Sequence, residues 1–214
     1  MNYTKFVREY SKNNIGAFFD VSKLKDTEFS EVPYKTLLKI LNRFEEEGLL
    51  KPVSKGVYFI GEKLVDEELF FDEYVDDGKG MFVGYQLFND VGISNYVDCK
   101  IEIYTNNIKS KQKSVGQYSL KKVDLEFDDD TIDLVALLEI IDTGYSMKGC
   151  DFMAYKKTVD MLLKSYSDRS FEKIVKAIHY KYSTIKQLSE LLETNSIDNN
   201  CLDIFECTYK SLIR

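Results

Sequence analysis

Between Pro33 and Ile60 the hydrophobic period switches from helical to extended, and that switch limits what the N-terminal part of this chain can become. In PYKTLLKILNRFEEEG the apolar positions Tyr34, Leu37, Leu38, Leu41 and Phe44 recur every three or four residues. That spacing predicts a helix with one buried face. Ser30 and Pro33 open it, proline being favoured in a first turn where its missing N–H costs nothing. Gly48 supplies a left-handed stop. Two short β-like runs follow, LLKPV and GVYFI, joined by Ser54-Lys55-Gly56, a hairpin signal. Upstream, residues 3–13 read as a helix on Phe6, Val7 and Tyr10. Ala17-Phe18-Phe19 reads as a short extended stretch, and Ser22 to Lys25 as a second helix of one or two turns.

Helix, short strand, helix, helix, hairpin is the order of a winged helix-turn-helix. In that arrangement the third helix buries Leu37, Leu41 and Phe44 and turns Lys35, Thr36, Lys39, Asn42 and Arg43 outward. Lys35, Lys39 and Arg43 are each four apart and form one basic ridge. A helix of this diameter enters the major groove of DNA, where Arg and Asn read base edges and Lys contacts phosphate. The hairpin brings Lys51, Ser54 and Lys55 alongside, suited to the adjacent backbone. Glu45, Glu46 and Glu47 at the helix end repel phosphate and are expected to point away from it. A solvated charged face is the plainer reading of any such ridge.

Charge divides the chain near residue 62. Residues 1–61 hold ten Lys and Arg against eight Asp and Glu, a net +2, and the remainder carries the other 19 bases and 28 acids, a net −9. The expected organisation is a DNA-binding domain over 1–61 and an α/β domain over 62–214, an α+β chain whose second part has a small sheet and a helical tail. A basic segment on an acidic body points to a polyanion as partner of the first part.

The remaining composition removes chemistry more than it suggests any. Hydrophobic residues make up 44% of the chain and aromatics 14%, which excludes wholesale disorder. No apolar run approaches the length of a membrane span. The opening MNYTKFVREYSKNN has no apolar signal-peptide core, so the expected location is cytoplasmic. The four cysteines, Cys99, Cys150, Cys201 and Cys207, include no CxxC pair, against a zinc site and in favour of reduced, packed thiols. One histidine, His179, leaves no site that needs two, and it reads as a packed or helix-end residue.

Beyond residue 62, EKLVDEELFFDEYV predicts a connecting helix buried on Leu64, Val65, Leu69 and Phe70, followed by a loop at Asp76 to Gly80. MFVGY predicts a strand, YQLFNDVG a short helix, and KIEIYTNN a strand with Ile101, Ile103 and Thr105 on one face and Glu102 and Tyr104 on the other. Lys109, Lys111 and Lys113 line a loop that leads to a further strand near SVGQYSLKKVDLEF, and read either as added phosphate contacts or as an exposed flexible loop. Helices are expected at about 131–143, 151–166, 170–181, 183–194 and 200–212. The acids Glu126, Asp128, Asp129, Asp130 and Asp133 suit magnesium in type. Asp129 or Asp130 is equally a natural cap for the helix that starts near Thr131. Glu102-Ile103-Tyr104 has tyrosine where a nuclease motif needs lysine. No GxxxxGK[ST] or GxGxxG spacing supplies a phosphate cradle, and no cofactor is implied.

Two blocks resemble AbiEi-type antitoxins, the regulator halves of abortive-infection toxin–antitoxin pairs. One contains Gly16 with Phe18-Phe19, Leu41, Gly48-Leu49 and Lys55-Gly56-Val57-Tyr58. The other contains Gly84-Tyr85-x-Leu87, Gly92-Ile93 and Glu102-Ile103-x-Thr105-Asn106. The resemblance implies a transcriptional repressor of its own operon, with operator double-stranded DNA as partner. It also implies a protein that counteracts a nucleotidyltransferase-like toxin without a stable complex, and no enzymatic activity of its own. The third helix departs from the family in carrying Tyr34, Lys35 and Lys39 where Arg- and Ser-rich surfaces are expected. The competing expectation is a winged helix that docks a protein and serves as a scaffold without binding DNA. An enzyme built on the acidic cluster is a third.

Overall fold

Short polar side chains start the first two helices. In the computed structural model, which describes residues 2–61 and 67–212, α1 (Tyr3–Asn13) begins where the Asn2 side chain accepts from the Lys5 N–H at 3.1 Å. Strand β1 (Phe18–Asp20) runs directly into α2 (Val21–Asp26), capped by Asp20, whose Oδ1 accepts from the Ser22 N–H at 2.9 Å. Helix α3 (Tyr34–Glu46) starts after Pro33 and ends at Gly48, whose φ of 74° only glycine adopts without cost. That turn lets the Leu49 N–H reach back to the Phe44 carbonyl at 2.8 Å. Strands β2 (Leu50–Ser54) and β3 (Val57–Ile60) form the hairpin, with a register shift between Pro52 and Ser54. β1 adds to the far side of β3, giving an antiparallel sheet of order β1-β3-β2.

The helices and one face of this sheet enclose a core of Val7, Phe19, Phe29, Leu37, Ile40, Leu41, Phe44, Leu50 and Ile60, in which Phe19 stacks on Phe29 at 5.4 Å. Two expectations for α3 are corrected. Tyr34 is 55% exposed and Leu38 only half-buried, while Ile40, unassigned by the spacing, is buried. At about 100° per residue, the stripe 37-40-41-44 is centred on the core, and residues 34 and 38 fall on its flank.

The rest of the chain comprises α4 (Glu67–Tyr74), β4 (Gly80–Val83), α5 (Gly84–Asp90), β5 (Ile101–Thr105), β6 (Gln112–Val115), β7 (Tyr118–Lys122), α6 (Asp129–Thr143), α7 (Phe152–Leu162), α8 (Asp168–Ala177), α9 (Tyr182–Thr194) and α10 (Cys201–Leu212). Its sheet has the order β4-β5-β7-β6, with β5 and β7 parallel and the other pairs antiparallel. Gly80 is squeezed between backbones: a Cβ there would lie 2.4 Å from the carbonyl oxygens of Tyr74 and Tyr104. Helix α6 is buried nearly all round, from Leu134 to Ile141, and is the post on which α7, α8 and α9 pack. Among the described residues no helix is long and apolar enough to cross a membrane.

Several local expectations are corrected. Leu64 and Val65 lie outside the described residues; of the other two, Phe70 is buried and Leu69 half-buried. The single strand expected near residues 114–127 is instead the hairpin β6–β7, turning at Gly116-Gln117, and Lys113 belongs to a strand rather than a loop. The run is too polar to show alternation, because β6 is an edge strand. The cap of α6 is Asp128, not Asp129 or Asp130. Its carboxylate accepts from the Thr131 N–H at 2.8 Å while the Thr131 hydroxyl accepts from the Asp128 N–H at 2.9 Å. Helix α8 ends at Ala177, so His179 lies beyond it, exposed and stacked on Tyr209 at 5.6 Å.

The two sheets are joined by a mixed apolar and ionic contact. Phe18 and Val53 pack against Phe70, Tyr74, Ile103, Val115, Tyr118 and Leu120. Around them Lys23 pairs with Glu73 at 2.6 Å, Lys109 with Asp26 at 2.6 Å, and Lys113 with Asp20. The last pair is the most enclosed, with Lys113 11% and Asp20 3% exposed. Burial alone would raise the Asp20 pKa, but the hydrogen bonds from Lys113 and Ser22 outweigh it and hold the carboxyl below the ordinary aspartate value. Its folded pKa being depressed, this stability is present above the ordinary aspartate range and is lost as pH falls through the folded value. Asp20→Asn keeps an N-cap but strands Lys113. It is expected to cost about 3 kcal/mol in urea unfolding at pH 7, with the deficit shrinking on acidification; a pH-independent deficit would mean that packing, not the ion pair, holds the join.

Candidate functional site

The outer side of α3 is open. Lys35, Lys39, Asn42 and Arg43 are exposed and Thr36 is half-buried. Among the described residues, none of Lys35, Lys39 and Arg43 enters an ion pair. By helical position Lys35, Lys39, Asn42 and Glu46 stand opposite the buried stripe, with Arg43 and Thr36 on one flank and Tyr34, Leu38 and Glu45 on the other. The three terminal acids therefore do not share a direction. Glu47 pairs with Arg8 at 2.7 Å, where the Arg8 guanidinium also covers the Phe44 ring at 4.5 Å. Glu45 lies near Tyr58, where its charge helps burial raise the phenol pKa. Glu46 stays on the same face as Lys39 and Asn42.

A cleft of 1040 Å³ separates the Tyr34–Leu38 flank from the hairpin. Ser54, Lys55, Gly56 and Tyr58 line one side, Lys25 and Asp26 the end of α2, and Lys109, Ser110, Gln112, Lys113 and Ser114 the remaining wall. The Gly56 carbonyl accepts from the Val21 N–H at 2.9 Å, which ties the hairpin tip to the start of α2. Lys55 at the tip is exposed. The Ser54 hydroxyl is buried with no partner among the described residues. Lys51 is placed elsewhere: it stands opposite Phe59, on the sheet face turned toward β1 Phe18 and away from α3. The structure thus brings Ser54 and Lys55 to the cleft beside α3, and does not bring Lys51 there.

Sequence reasoning missed the roles of Lys109 and Lys113. Their four-residue spacing was the available signal, since an even spacing puts both on one side of an extended chain. By neutralising Asp26 and Asp20 they leave Lys25 and Lys55 as the cleft's cations without a carboxylate partner among the described residues; the Lys25 ammonium donates to the Ser30 carbonyl at 2.7 Å.

A second polar group lies in the body. Glu139, the one carboxylate in the run Leu134 to Ile141, accepts at Oε1 from the hydroxyls of Tyr180 at 2.9 Å and Tyr104 at 3.1 Å. With Glu102, Gln112, Ser119 and Lys121 it lines a pocket of 240 Å³, and the Lys121 ammonium lies 4.8 Å from the Tyr104 ring centre. No group of three His, Cys, Asp or Glu side chains that suits a metal gathers among the described residues. The four cysteines are free thiols: Cys201 is buried and Cys150 half-buried, but Cys99 and Cys207 are exposed rather than packed as expected. Compared with known proteins, the chain matches no family model and has no significant match among curated proteins.

Burial pushes the Glu139 carboxyl above the ordinary glutamate range, against the lowering effect of the two tyrosine hydroxyls. A raised folded pKa means that stability falls as pH rises from the ordinary value through the folded one. Glu139→Gln removes that loss and keeps an acceptor for both tyrosines. The variant is expected to melt above the parent at pH 7 and to converge with it near pH 4, followed by thermal denaturation.

Proposed function

We propose that residues 1–61 form a winged helix-turn-helix that binds double-stranded DNA, and that the chain is a transcriptional regulator resembling AbiEi-type antitoxins. The observation that carries this reading is the basic ridge of α3, Lys35, Lys39 and Arg43, exposed and without an ion pair among the described residues. The element order and the strand order β1-β3-β2 support it, since they place a hairpin tip with Lys55 across a cleft from the same helix. In this reading Lys35, Lys39, Asn42 and Arg43 enter the major groove, while Ser54 and Lys55 hold the adjacent backbone. The chain represses its own operon, and residues 62–214 form the domain that counteracts a nucleotidyltransferase-like toxin, without catalysis. The family assignment rests on the residue blocks around Gly48, Lys55-Gly56-Val57-Tyr58 and Gly84-Tyr85, not on a measured likeness.

One observation favours the competing reading of a protein-docking module: the cleft carries exposed Tyr34 and half-buried Leu38 beside Tyr58. The two readings separate on salt. DNA binding releases counterions, so affinity for the duplex upstream of the coding sequence is expected to fall steeply with salt, by about 0.9 log per log for each phosphate contact. A protein-docking surface shows no such slope and responds instead to Tyr34→Ala.

Within the DNA reading, Lys39→Ala is expected to reduce the salt slope by about one, and Arg43→Ala to cost about 1–3 kcal/mol if it reads a base. Glu46→Gln, which removes the one acid on the exposed face of α3, is expected to tighten binding several-fold at low salt and less at high salt. Fluorescence anisotropy over a salt series measures all three, and unchanged affinity in all of them would remove α3 from the interface.

A further inference from the structure

Four aromatic rings, His179, Tyr209, Phe205 and Tyr182, stand in an unbroken row in the helical part of the chain. His179 stacks on Tyr209 at 5.6 Å, Tyr209 on Phe205 at 5.9 Å, and Phe205 meets Tyr182 at 6.3 Å. Two segments supply them. Phe205 and Tyr209 are a turn apart on α10, so they share a face of that helix. His179 and Tyr182 come from the extended link between α8 and α9 and from the first position of α9. Along that link burial alternates: Ile178 and Tyr180 are buried, His179 and Lys181 exposed. The Tyr180 hydroxyl donates to Glu139 at 2.9 Å, which anchors the link and turns its neighbours outward.

The row borders a recess of 370 Å³ that Tyr180, Lys181 and Glu206 complete. Packing of α10 accounts for Phe205, which is buried and continuous with the core around α6. It does not account for Tyr182 and Tyr209, which are 52% and 43% exposed and leave ring surface open to water. Among the described residues, the lysines and arginines seated over rings lie elsewhere, on Phe44, Tyr74, Tyr96 and Tyr104. The electrostatics of the recess favour a cation. Residues 182–209 hold five acids, Glu190, Glu193, Asp198, Asp203 and Glu206, against one base, Lys186. The Lys181 ammonium is paired with Asp142 at 3.3 Å. Ring faces add negative potential of their own. With the Tyr180 hydroxyl given to Glu139, the recess offers ring surface more than hydrogen bonding, and it suits a cation that needs none.

We infer that this recess binds an alkylated ammonium ion, held by cation–π contact with Tyr182, Phe205 and Tyr209. The methyl groups on such a nitrogen pack against the rings while its charge meets their faces. A bare ammonium entering the same recess loses hydrogen bonds to water that the rings do not replace. None of the lining belongs to residues 1–61, so the inference stands apart from the DNA-binding reading.

The test takes the chain's single histidine as its reporter, because the imidazole signals in a proton NMR spectrum of the full chain belong to His179 alone. The probes are choline, its uncharged analogue with carbon in place of nitrogen, and a short peptide carrying trimethyllysine, with sodium chloride at matched concentration as control. The expected result is a saturable shift of the His179 signals with choline, and binding of the uncharged analogue weaker by about fivefold. Tighter binding of the peptide than of choline identifies a partner's side chain as the source of the cation, and the reverse identifies a free small molecule; both support the site. Tyr182→Leu and Tyr209→Leu are each expected to weaken choline by about fivefold with an unchanged thermal melt. Tyr209→Phe, which keeps the ring, is expected to bind as the parent does, and loss of binding there would overturn contact through ring faces. Equal affinity for choline and its uncharged analogue would overturn the inference. So would shifts with choline and peptide no larger than sodium chloride gives, or full affinity in both leucine variants. Where a leucine variant fails to fold, the comparison of choline with its analogue in the parent decides alone.

Discussion

Among the described residues, the ion pair between Lys113 and Asp20 is the most enclosed. Asp20 ends β1, caps α2 through the Ser22 N–H and receives the Lys113 ammonium from the opposite sheet. One carboxylate therefore fixes the start of a helix and the position of one sheet against the other. Its acidity follows from that double use, because the donors that fix its geometry also stabilise its charge against burial. Around it the apolar contacts of Phe18 and Val53 with Phe70 and Tyr118 supply the non-directional part of the join.

Charge is distributed in the molecule by task. Basic groups that face acids across the join are consumed in ion pairs, as with Lys23, Lys109 and Lys113, and Arg8 is spent on Glu47 and the Phe44 ring. Of the described residues, Lys35, Lys39 and Arg43 on α3 and Lys25 and Lys55 at the cleft keep no carboxylate partner. An acidic net charge of −7 thus coexists with exposed lysines on one helix face and at the hairpin tip.

Much of the fold was legible because its signals are local. The 3–4 spacing before Gly48, the Ser54-Lys55-Gly56 turn and the alternation of Ile101, Ile103 and Thr105 each depend on neighbours in sequence, and each corresponds to an element. What was not legible depends on partners far along the chain. Tyr34, expected inside, is exposed, and Ile40, unassigned by the spacing, is buried, because the core, not the helix, decides which flank is covered. Lys113 reads as a loop residue until Asp20 is placed beside it, and Lys51 reads as part of the cleft until pairing with Phe59 fixes its face. Glu139 is a lone carboxylate in an apolar helix, and the two tyrosines that explain it come from β5 and from the segment after α8. For the candidate site, the ridge on α3 was legible, while the contribution of the second sheet was not.

Asp20's two duties also have a mechanical consequence. Separating the two sheets requires freeing Lys113, and that withdraws a charge partner from the very group that begins α2, so opening the join and fraying that helix are one event rather than two. The span between α3 and the β6–β7 hairpin is therefore set by the same carboxylate that starts α2.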